Sequence, residues 1–277
     1  MASGTVIRAV NKPSVSLLVL FSKEFVYDRF IEQLRGLQMP YQKTEIVILL
    51  DSNNKQLFMR LCADIEAITK DKGYNGSRVY FSEKSPLGNF DPVHMRRLRI
   101  AQNHEEAKTF LSDTDWLFLY EDDTFFRPDA FNLLKSLFNR KTGFVEGAEV
   151  GRWELRHIGA WSISPVGNPT KIKTVLPKKK GTTVIQGGGF YCLVTKTKLY
   201  KAARFRSEAE CLGVDVVYGW DLAKEGYVNR VFWGLPCEHV TETKSIFVDG
   251  EIISLEWQKI GDKWELQPIT KTVTLNA

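Results

Sequence analysis

The 277-residue chain carries a formal net charge of +5 and 43% hydrophobic residues, enough for one large α/β core or at most two domains. No apolar run approaches the roughly 18 residues that cross a bilayer, and the N-terminus lacks the apolar core and cleavage site of a secretory signal, so we expect a cytoplasmic protein without a membrane span. Four scattered cysteines without a C-x-x-C pair argue against a zinc ribbon and a disulfide framework, and favour buried free thiols.

Apolar runs alternate with amphipathic segments in the first third of the chain. The pattern predicts strands over Ser14–Phe21, Thr44–Leu50 and Arg78–Phe81. Between them it predicts a helix from Ser22, as the capping residue, to about Arg35, and another from Lys55 to Lys70. This alternation at the spacing of βαβ units predicts a mostly parallel sheet flanked by helices.

The next segments lead to a short apolar strand, and the regular alternation of strands and helices ends after the helix that follows it. A loop from Ser82 to Met95 precedes a helix from about Val93 to Leu111, and Trp116 to Tyr120 form a strand buried on both faces. A helix follows Pro128, which suits a first helical position. Later predictions are a strand over 184–194 broken by three glycines, helices over 196–204 and 214–225, a strand over 228–232, and two hairpins in the tail with turns at 249–250 and 261–262.

Three acids, Glu121, Asp122 and Asp123, follow the buried strand directly. The carboxyl end of a strand is where an open α/β sheet places its ligands, and three adjacent carboxylates need a counter-ion. Hard carboxylate oxygens suit Mg²⁺ or Mn²⁺, and such a cation suits a diphosphate. The alternative is a solvated acidic turn. The glycines at 187–189 allow a close backbone approach to a ligand, or simply a bulge or tight bend.

Six segments, in the same order, resemble the GT-A fold nucleotide-diphospho-sugar glycosyltransferases, in particular the family 2 inverting type. They are SVSLLVLF, EIVILLDSNN, RIAQNHEEA, LFLYEDDT, GVDVVYGWDLAKEGY and PCEHVTE, and the likeness covers about residues 14–241. It implies an α/β Rossmann-like mixed sheet flanked by helices, with C-terminal β-hairpins. Within a single domain 1–277, it implies a nucleotide-sugar-binding half (1–125), an acceptor-binding and catalytic half (126–240) and a hairpin tail (241–277).

The resemblance also implies roles for individual residues. Asp51 would contact the nucleoside base and Asn103 the donor, Glu121 or Asp122 would lie near the ribose, and Asp123 and His239 would hold Mn²⁺ or Mg²⁺. Asp215 aligns with the general base, and Asp221 is the competing candidate. Gly188 and Gly189 are further candidates for donor binding. Each has a structural alternative: Asp51 and Asp215 are common helix-capping residues, and a histidine beside an apolar strand is commonly a core residue.

The chemistry of sugar transfer matches these residue types. The departing diphosphate gains negative charge, which a divalent cation stabilises as a Lewis acid. An acceptor hydroxyl is a poor nucleophile, and a carboxylate within hydrogen-bond reach can take its proton. Attack from the face opposite the leaving group would invert the anomeric centre, by the geometric logic of inverting hydrolases.

Two other functions remain open. Nucleotidyl transfer also uses metal-binding acids, but it normally needs a glycine-rich loop after the first strand, and Phe21 to Glu24 supplies none. A non-catalytic nucleotide-sugar-binding module would lose no turnover when Asp215 is replaced. The acceptor also stays open: a glycan, a protein or a hydroxylated DNA base is compatible with the basic balance of the chain and its run Lys178–Lys180.

Overall fold

The structure, a computed structural model, describes residues 3–7, 12–82, 92–150, 159–163, 172–176, 178–207, 213–240, 244–248, 251–260 and 263–268. Contacts divide the chain into two units, Met1–His239 and Val240–Ala277. The predicted assignment of residues 1–125 and 126–240 to donor and acceptor halves stays a prediction.

Strands and helices alternate along the first unit. Its strands are β1 (Ser3–Ile7), β2 (Val15–Phe21), β3 (Thr44–Asp51), β4 (Gly76–Ser82), β5 (Trp116–Glu121), β6 (Thr124–Phe125), β7 (Thr142–Val150), β8 (Trp161–Ile163), β9 (Ile172–Thr174), β10 (Thr182–Ile185), β11 (Cys192–Lys196) and β12 (Val228–His239). Its α-helices are α1 (Tyr27–Gly36), α2 (Lys55–Lys72), α3 (Pro92–Phe110), α4 (Ala130–Ser136), α5 (Thr197–Ala202) and α6 (Val214–Lys224).

One ten-stranded sheet forms the middle of this unit, in the order β1-β4-β3-β2-β5-β11-β7-β12-β10, with β6 paired to β12. The strands β4, β3, β2 and β5 are parallel neighbours, as are β7 and β12. The remaining pairs, including those of β11 with β5 and β7, are antiparallel. The sheet is therefore mixed, as the resemblance implied, and the prediction of a mostly parallel sheet holds only for the half built from β2 to β5.

The central strands bury both faces, as their continuous apolar runs predicted. Leu17 and Val19 of β2 pack on one side with residues of α1, α2 and α4, and Leu18 packs on the other with residues of α3, α5 and α6. Alternate residues of a strand point to opposite faces, so one unbroken apolar run supplies two cores. The sheet is therefore held between two helical layers, which leaves the ends of the strands available for function.

Three predictions about elements were wrong in detail. Ser22 caps no helix: a 3₁₀ turn at Glu24–Val26 comes before α1, and neither element has a side-chain cap. The predicted strand over 184–194 is two strands in different places in the sheet, with the glycines between them. The strand predicted for 228–232 continues to His239, with its register against β7 shifting between Phe232 and Pro236.

Five strands were not anticipated, namely β1, β6, β7, β8 and β9. The strand β1 lies antiparallel to β4 at the sheet edge, and β7 pairs with both β11 and β12. The predicted loop over 82–95 shortens, because α3 already begins at Pro92, and its residues 83–91 lie outside the described part of the chain.

The unit Val240–Ala277 contains a three-stranded antiparallel sheet of β13 (Lys244–Val248), β14 (Glu251–Ile260) and β15 (Lys263–Pro268). These are the predicted hairpins, and both predicted turns lie outside the described residues. In the first unit, Cys192 and Cys237 are buried free thiols, as predicted, whereas Cys62 is only partly buried and Cys211 lies outside the described residues.

A buried carboxylate joins the parallel strands at the edge opposite their carboxyl ends. Glu45, at 3% side-chain exposure, pairs with Arg78, and its Oε1 accepts hydrogen bonds from Ser16 Oγ (2.6 Å) and Ser112 N (3.0 Å). Its Oε2 also accepts from Ser112 Oγ at 2.7 Å. The negative charge is thus fully compensated by neighbours from three other segments.

Glu45→Gln is expected to lower the free energy of unfolding by about 3 kcal/mol. The change leaves Arg78 without its charge partner, and it puts an NH₂ group, which only donates, in place of a carboxylate oxygen that accepts hydrogen bonds. Urea unfolding followed by circular dichroism measures the change. Glu66→Gln is the matched control: the Glu66 side chain is 44% exposed and pairs with Lys70 along its own helix, so a change below about 0.5 kcal/mol is expected. Equal effects from the two variants would contradict the role given to Glu45.

Candidate functional site

Several strand ends meet at one edge of the sheet. The strands β2, β3 and β5 are parallel, β11 is antiparallel to both β5 and β7, and β12 is parallel to β7. All five of β2, β3, β5, β7 and β12 therefore run in the same direction. Their carboxyl ends carry Asp51, Glu121, Glu149 and His239, and Lys23 follows β2 by two residues. Five polar groups far apart in sequence are thereby brought to a common edge.

The short strand β6 brings His239 to the acidic turn formed by Glu121, Asp122 and Asp123. His239 is paired with Thr124 in the register of β12 and β6, so its ring reaches Asp123, the residue before β6. The ring atom Nε2 lies 3.0 Å from Asp123 Oδ2 and 3.4 Å from Glu121 Oε2. One ligand atom from each of these three residues lies within 4.8 Å of the other two. The predicted metal ligands Asp123 and His239 are thus together, and Glu121 joins them.

A further acid fixes the other side of the histidine. Glu149 Oε1 lies 2.8 Å from His239 Nδ1, because β7 is the parallel neighbour of β12. Burial alone would lower the pKa of His239, but the contacts with Asp123 and Glu149 outweigh it and raise the pKa to about 9. Glu149 therefore holds the ring so that Nε2 faces the acidic turn, as outer carboxylates do for metal-binding histidines.

The middle acid of the turn faces the protein itself. Asp122 Oδ2 accepts hydrogen bonds from the backbone N–H groups of Ser22 (2.6 Å) and Lys23 (2.7 Å). Asp122 is 2% exposed, and its burial raises the pKa of the carboxyl, which the charge of Lys23 opposes. Asp122, one of the two residues predicted to lie near the ribose, is therefore already engaged in holding the chain that follows β2.

The Lys23 ammonium is the positive charge at the centre of the acids. Its Nζ forms an ion pair with Asp123 Oδ2 and lies 3.7 Å from Asp122 Oδ1. Burial opposes the charge of Lys23, but Asp122, Asp123 and Glu121 raise the lysine pKa above its ordinary value. Burial likewise opposes the charge of Asp123, yet His239 and Lys23 hold the pKa of that carboxyl below its usual range.

The donor set fits a divalent cation. Asp123 is 1% exposed, and its Oδ1 has no hydrogen-bond partner among the described residues, although a buried carboxylate oxygen normally has one. Two carboxylates, together with an imidazole held by a third carboxylate, form a typical ligand set for a divalent metal ion such as Mn²⁺. The unsatisfied oxygen and the ligand set therefore point to the same occupant.

Asp51 forms a second polar centre at the end of β3. It is 4% exposed, its Oδ2 accepts a hydrogen bond from Asn103 Nδ2 at 2.9 Å, and Arg99 Nε lies 4.0 Å from the same oxygen. Its Oδ1 is buried without a hydrogen-bond partner among the described residues. The cap of α2 is Asn54, which accepts from Leu57 N, so Asp51 does not serve as that cap. Two of the predicted donor-binding residues, Asp51 and Asn103, are thus in contact.

The two candidate bases have different surroundings. Asp215 lies in the first turn of α6, where its carboxyl accepts hydrogen bonds from the backbone N–H groups of Val216 and of Asp215 itself. Burial, with the negative charge of Glu121, outweighs these contacts and raises its pKa to about 7. Asp221 lies farther along α6, where Arg206 Nη2 (3.2 Å) and Lys224 Nζ (2.6 Å) bind its carboxylate. Burial opposes the charge of Asp221, but those two cations lower its pKa. Of the two, only Asp215 has the proton affinity of a general base near neutral pH.

The glycine run packs closely on a buried acid. Gly189 N donates to Glu146 Oε2 at 2.9 Å, and a Cβ added to Gly188 would lie 2.0 Å from that oxygen. Glu146 is fully buried, which raises its pKa well above the ordinary value, and Tyr191 Oη donates to its Oε1 at 3.2 Å. Gly188 and Gly189 are therefore required by internal packing, and their contact with a donor stays a prediction.

Lys23, Glu146 and Glu149 were missed by the sequence reasoning. Lys23 follows a predicted strand directly, which was a usable signal in a search for phosphate-binding groups. Glu146 and Glu149 lie in FVEGAEV, where two acids interrupt an apolar run, but β7 itself was not recognised. An acid inside a buried strand is expensive unless it has a partner, and this could have marked both residues.

The described part of the chain resembles solved glycosyltransferases. The mannosyltransferase PcManGT from Pyrobaculum calidifontis, in complex with GDP-Man and Mn²⁺, matches 84% of this chain and 58% of its own, at 13% identity and a TM-score of 0.53. GalNAc-T7 with UDP, GalNAc and Mn²⁺ matches 87% and 45%, at 10% identity and a TM-score of 0.58. The chain has the GT-A fold. TarS of S. aureus adds a third GT-A match over 83% and 37%, at 9% identity and a TM-score of 0.51.

These GT-A structures share the fold at identities too low to carry an activity across. The chain spans between 37% and 58% of the length of the three solved chains. No family model matches the sequence, and no curated protein matches it. Within the described residues, no helix has the length and apolar character needed to cross a membrane.

Proposed function

We propose that this GT-A chain is a metal-dependent glycosyltransferase, which moves a sugar from a nucleotide-diphospho-sugar to a hydroxyl acceptor. The observation that carries the proposal is the grouping of Glu121, Asp123 and His239 at the carboxyl end of the central strand, with an unsatisfied Asp123 oxygen. Two of the three GT-A neighbours were solved with a nucleotide or nucleotide-sugar and Mn²⁺. A divalent cation, Mn²⁺ or Mg²⁺, held there would stabilise the charge on the departing diphosphate.

We place the nucleoside base of the sugar donor at Asp51. The buried Asp51 Oδ1 is a charged acceptor, and Asn103 fixes the carboxylate through its other oxygen. A ring N–H, as in uracil or guanine, pairs with such an oxygen, whereas the ring lone pair on the same edge of cytosine or adenine is repelled by it. The proposed donor is therefore a uridine or guanosine diphospho-sugar.

Asp215 is the proposed general base. A carboxyl with a pKa of about 7 is deprotonated in a useful fraction near neutral pH and still accepts a proton effectively. The negative charges of Glu121 and Glu149 both raise its pKa, which indicates that Asp215 lies near the proposed metal ligands. Attack by an acceptor hydroxyl from the side of Asp215, opposite the diphosphate, would invert the anomeric centre. Proton NMR of the product's anomeric coupling constant tests inversion directly.

A thermal-shift screen tests the donor and the cation together. UDP, GDP, CDP and ADP are each added with Mn²⁺, with Mg²⁺ or with EDTA. At a ligand concentration of 100 times Kd, binding to the folded chain contributes about 2.7 kcal/mol, or roughly 5–10 °C in Tm. We expect such a shift for UDP or GDP with a divalent cation and little for CDP or ADP. Shifts that EDTA leaves unchanged would contradict the metal-dependent function.

The acceptor class is tested by ionic strength. Lys178–Lys180 are exposed and would contribute to a polyanionic acceptor site. Transfer to hydroxylated DNA would fall steeply as salt rises from 50 to 200 mM, since each phosphate contact releases counterions. Transfer to a neutral glycan would not, and a protein acceptor would follow its own local charge. A steep loss of transfer with rising salt therefore distinguishes a polyanionic acceptor from a neutral glycan.

A further inference from the structure

Resting on the function proposed above, we propose that Lys23 is a resident counter-ion of this centre, which competes with the divalent cation for Asp123 and turns to the donor diphosphate once the cation is bound. The starting observation is that Lys23 Nζ pairs with Asp123 Oδ2, the same oxygen that faces His239. An ammonium and a metal ion cannot both bind this small group of acids without strong repulsion. The cation therefore has to displace the lysine.

The backbone beneath the lysine is fixed while its side chain is able to move. Asp122 holds the N–H groups of both Ser22 and Lys23, so the Cα position of Lys23 is set by the fold. The side chain is 25% exposed and has four rotatable bonds, and its ammonium is a point charge with no fixed direction of bonding. Displacement therefore needs only a rotamer change and no movement of the main chain.

The displaced ammonium has a natural second partner. Lys23 follows β2, whose carboxyl end adjoins that of β5, so the lysine lies at the strand edge where a nucleotide's phosphates would sit. Asp122 Oδ1 already lies 3.7 Å from Nζ and would keep the lysine close to the site. Once a cation occupies Asp123, a diphosphate offers the lysine the nearest new negative charge. The cation and the donor would then bind cooperatively: the cation frees the Lys23 ammonium to pair with the diphosphate, and the diphosphate holds the ammonium away from Asp123.

The test measures metal binding without any turnover. Free Mn²⁺ is followed by electron paramagnetic resonance during titration of the wild type, Lys23→Met, Lys23→Arg and the control Lys72→Met, whose lysine is exposed near the end of α2. Lys23→Met is expected to bind Mn²⁺ alone about tenfold more tightly than the wild type, because the competing charge is gone. With Mn²⁺ present, it is expected to bind UDP or GDP about tenfold more weakly. Lys23→Arg and Lys72→Met should bind Mn²⁺ no more tightly than the wild type.

The outcomes separate this inference from the proposed function. If none of the four proteins binds Mn²⁺, either alone or with UDP or GDP present, the metal-dependent function itself is refuted. If the wild type and Lys23→Met bind Mn²⁺ equally, or the variant binds more weakly, only the role of Lys23 is refuted. Should Lys23→Met not fold, crystals of the wild type with and without Mn²⁺ decide the matter. Lys23 Nζ is expected to leave Asp123 when Mn²⁺ is bound, and a lysine still paired with Asp123 beside the metal would overturn the inference.

Discussion

The Asp123→Asn protein is expected to transfer sugar roughly a thousandfold more slowly than the wild type and to lose its Mn²⁺ site. Asparagine keeps the size of the side chain but removes the charge, and Asp123 contributes the one ligand carboxylate that is almost fully buried. Glu121 is partly exposed and cannot replace it at the same position. Initial rates with saturating donor and the Mn²⁺ titration measure the two losses.

Asp71→Asn is the matched control for this variant. Asp71 is an exposed residue near the end of α2, so the same chemical change there is expected to leave the rate and the Mn²⁺ affinity unchanged. A urea unfolding curve for Asp123→Asn shows whether the fold has survived. If folded Asp123→Asn kept both Mn²⁺ binding and transfer, the cation would have to lie elsewhere, and the placement of the donor diphosphate would be wrong.

Asp215→Asn is expected to lower kcat by roughly a thousandfold while leaving Mn²⁺ and UDP or GDP binding within about threefold of the wild type. The amide cannot take the acceptor's proton, but it adds no bulk. Asp221→Asn is the paired comparison on the same helix. It loses ion pairs with Arg206 and Lys224, and should cost some stability but less than tenfold in rate. The reverse ranking would make Asp221 the base.

The pH profile of the wild type provides an independent check on Asp215. The active form of a general base is the carboxylate, which is present above its pKa, so kcat/KM is expected to rise with pH. Its midpoint is expected at or below about 7, because a cation bound at Glu121 would partly cancel the charge that raises the pKa of Asp215. The remaining activity of Asp215→Asn should lack this step, and an unchanged step in that variant would assign it to another group.

The fold was predictable where packing follows directly from local pattern. Apolar runs such as those of β2 and β5 are buried on both faces, and their period and length distinguish them from helices. The strand β7 was not predictable in this way, because its glycines and acids interrupt the apolar run. Those irregular residues are explained only by tertiary contacts, with Cys237 beside Gly147 and His239 beside Glu149.

The residues of the candidate site likewise fall into those that a local pattern indicates and those that only tertiary contacts bring together. Glu121 to Asp123 could be recognised because a strand end and a cluster of charge coincide in the sequence. The contact between His239 and Asp123 spans 116 residues and depends on the pairing of β6 with β12, which no local pattern indicates. The position of Lys23 soon after a predicted strand was a local signal, but its place beside the acids also depends on Asp122, which binds the backbone after β2.

The three acids of the acidic turn have different contacts, and this limits how the protein can be redesigned. Glu121 and Asp123 face His239, while Asp122 anchors the main chain at Ser22 and Lys23. A library that aims to change sugar preference should therefore leave position 122 constant, exclude proline at positions 22 and 23, and neither insert nor delete a residue next to the ends of β2 and β5. Diversity is better placed at positions whose side chains do not hold another segment in register.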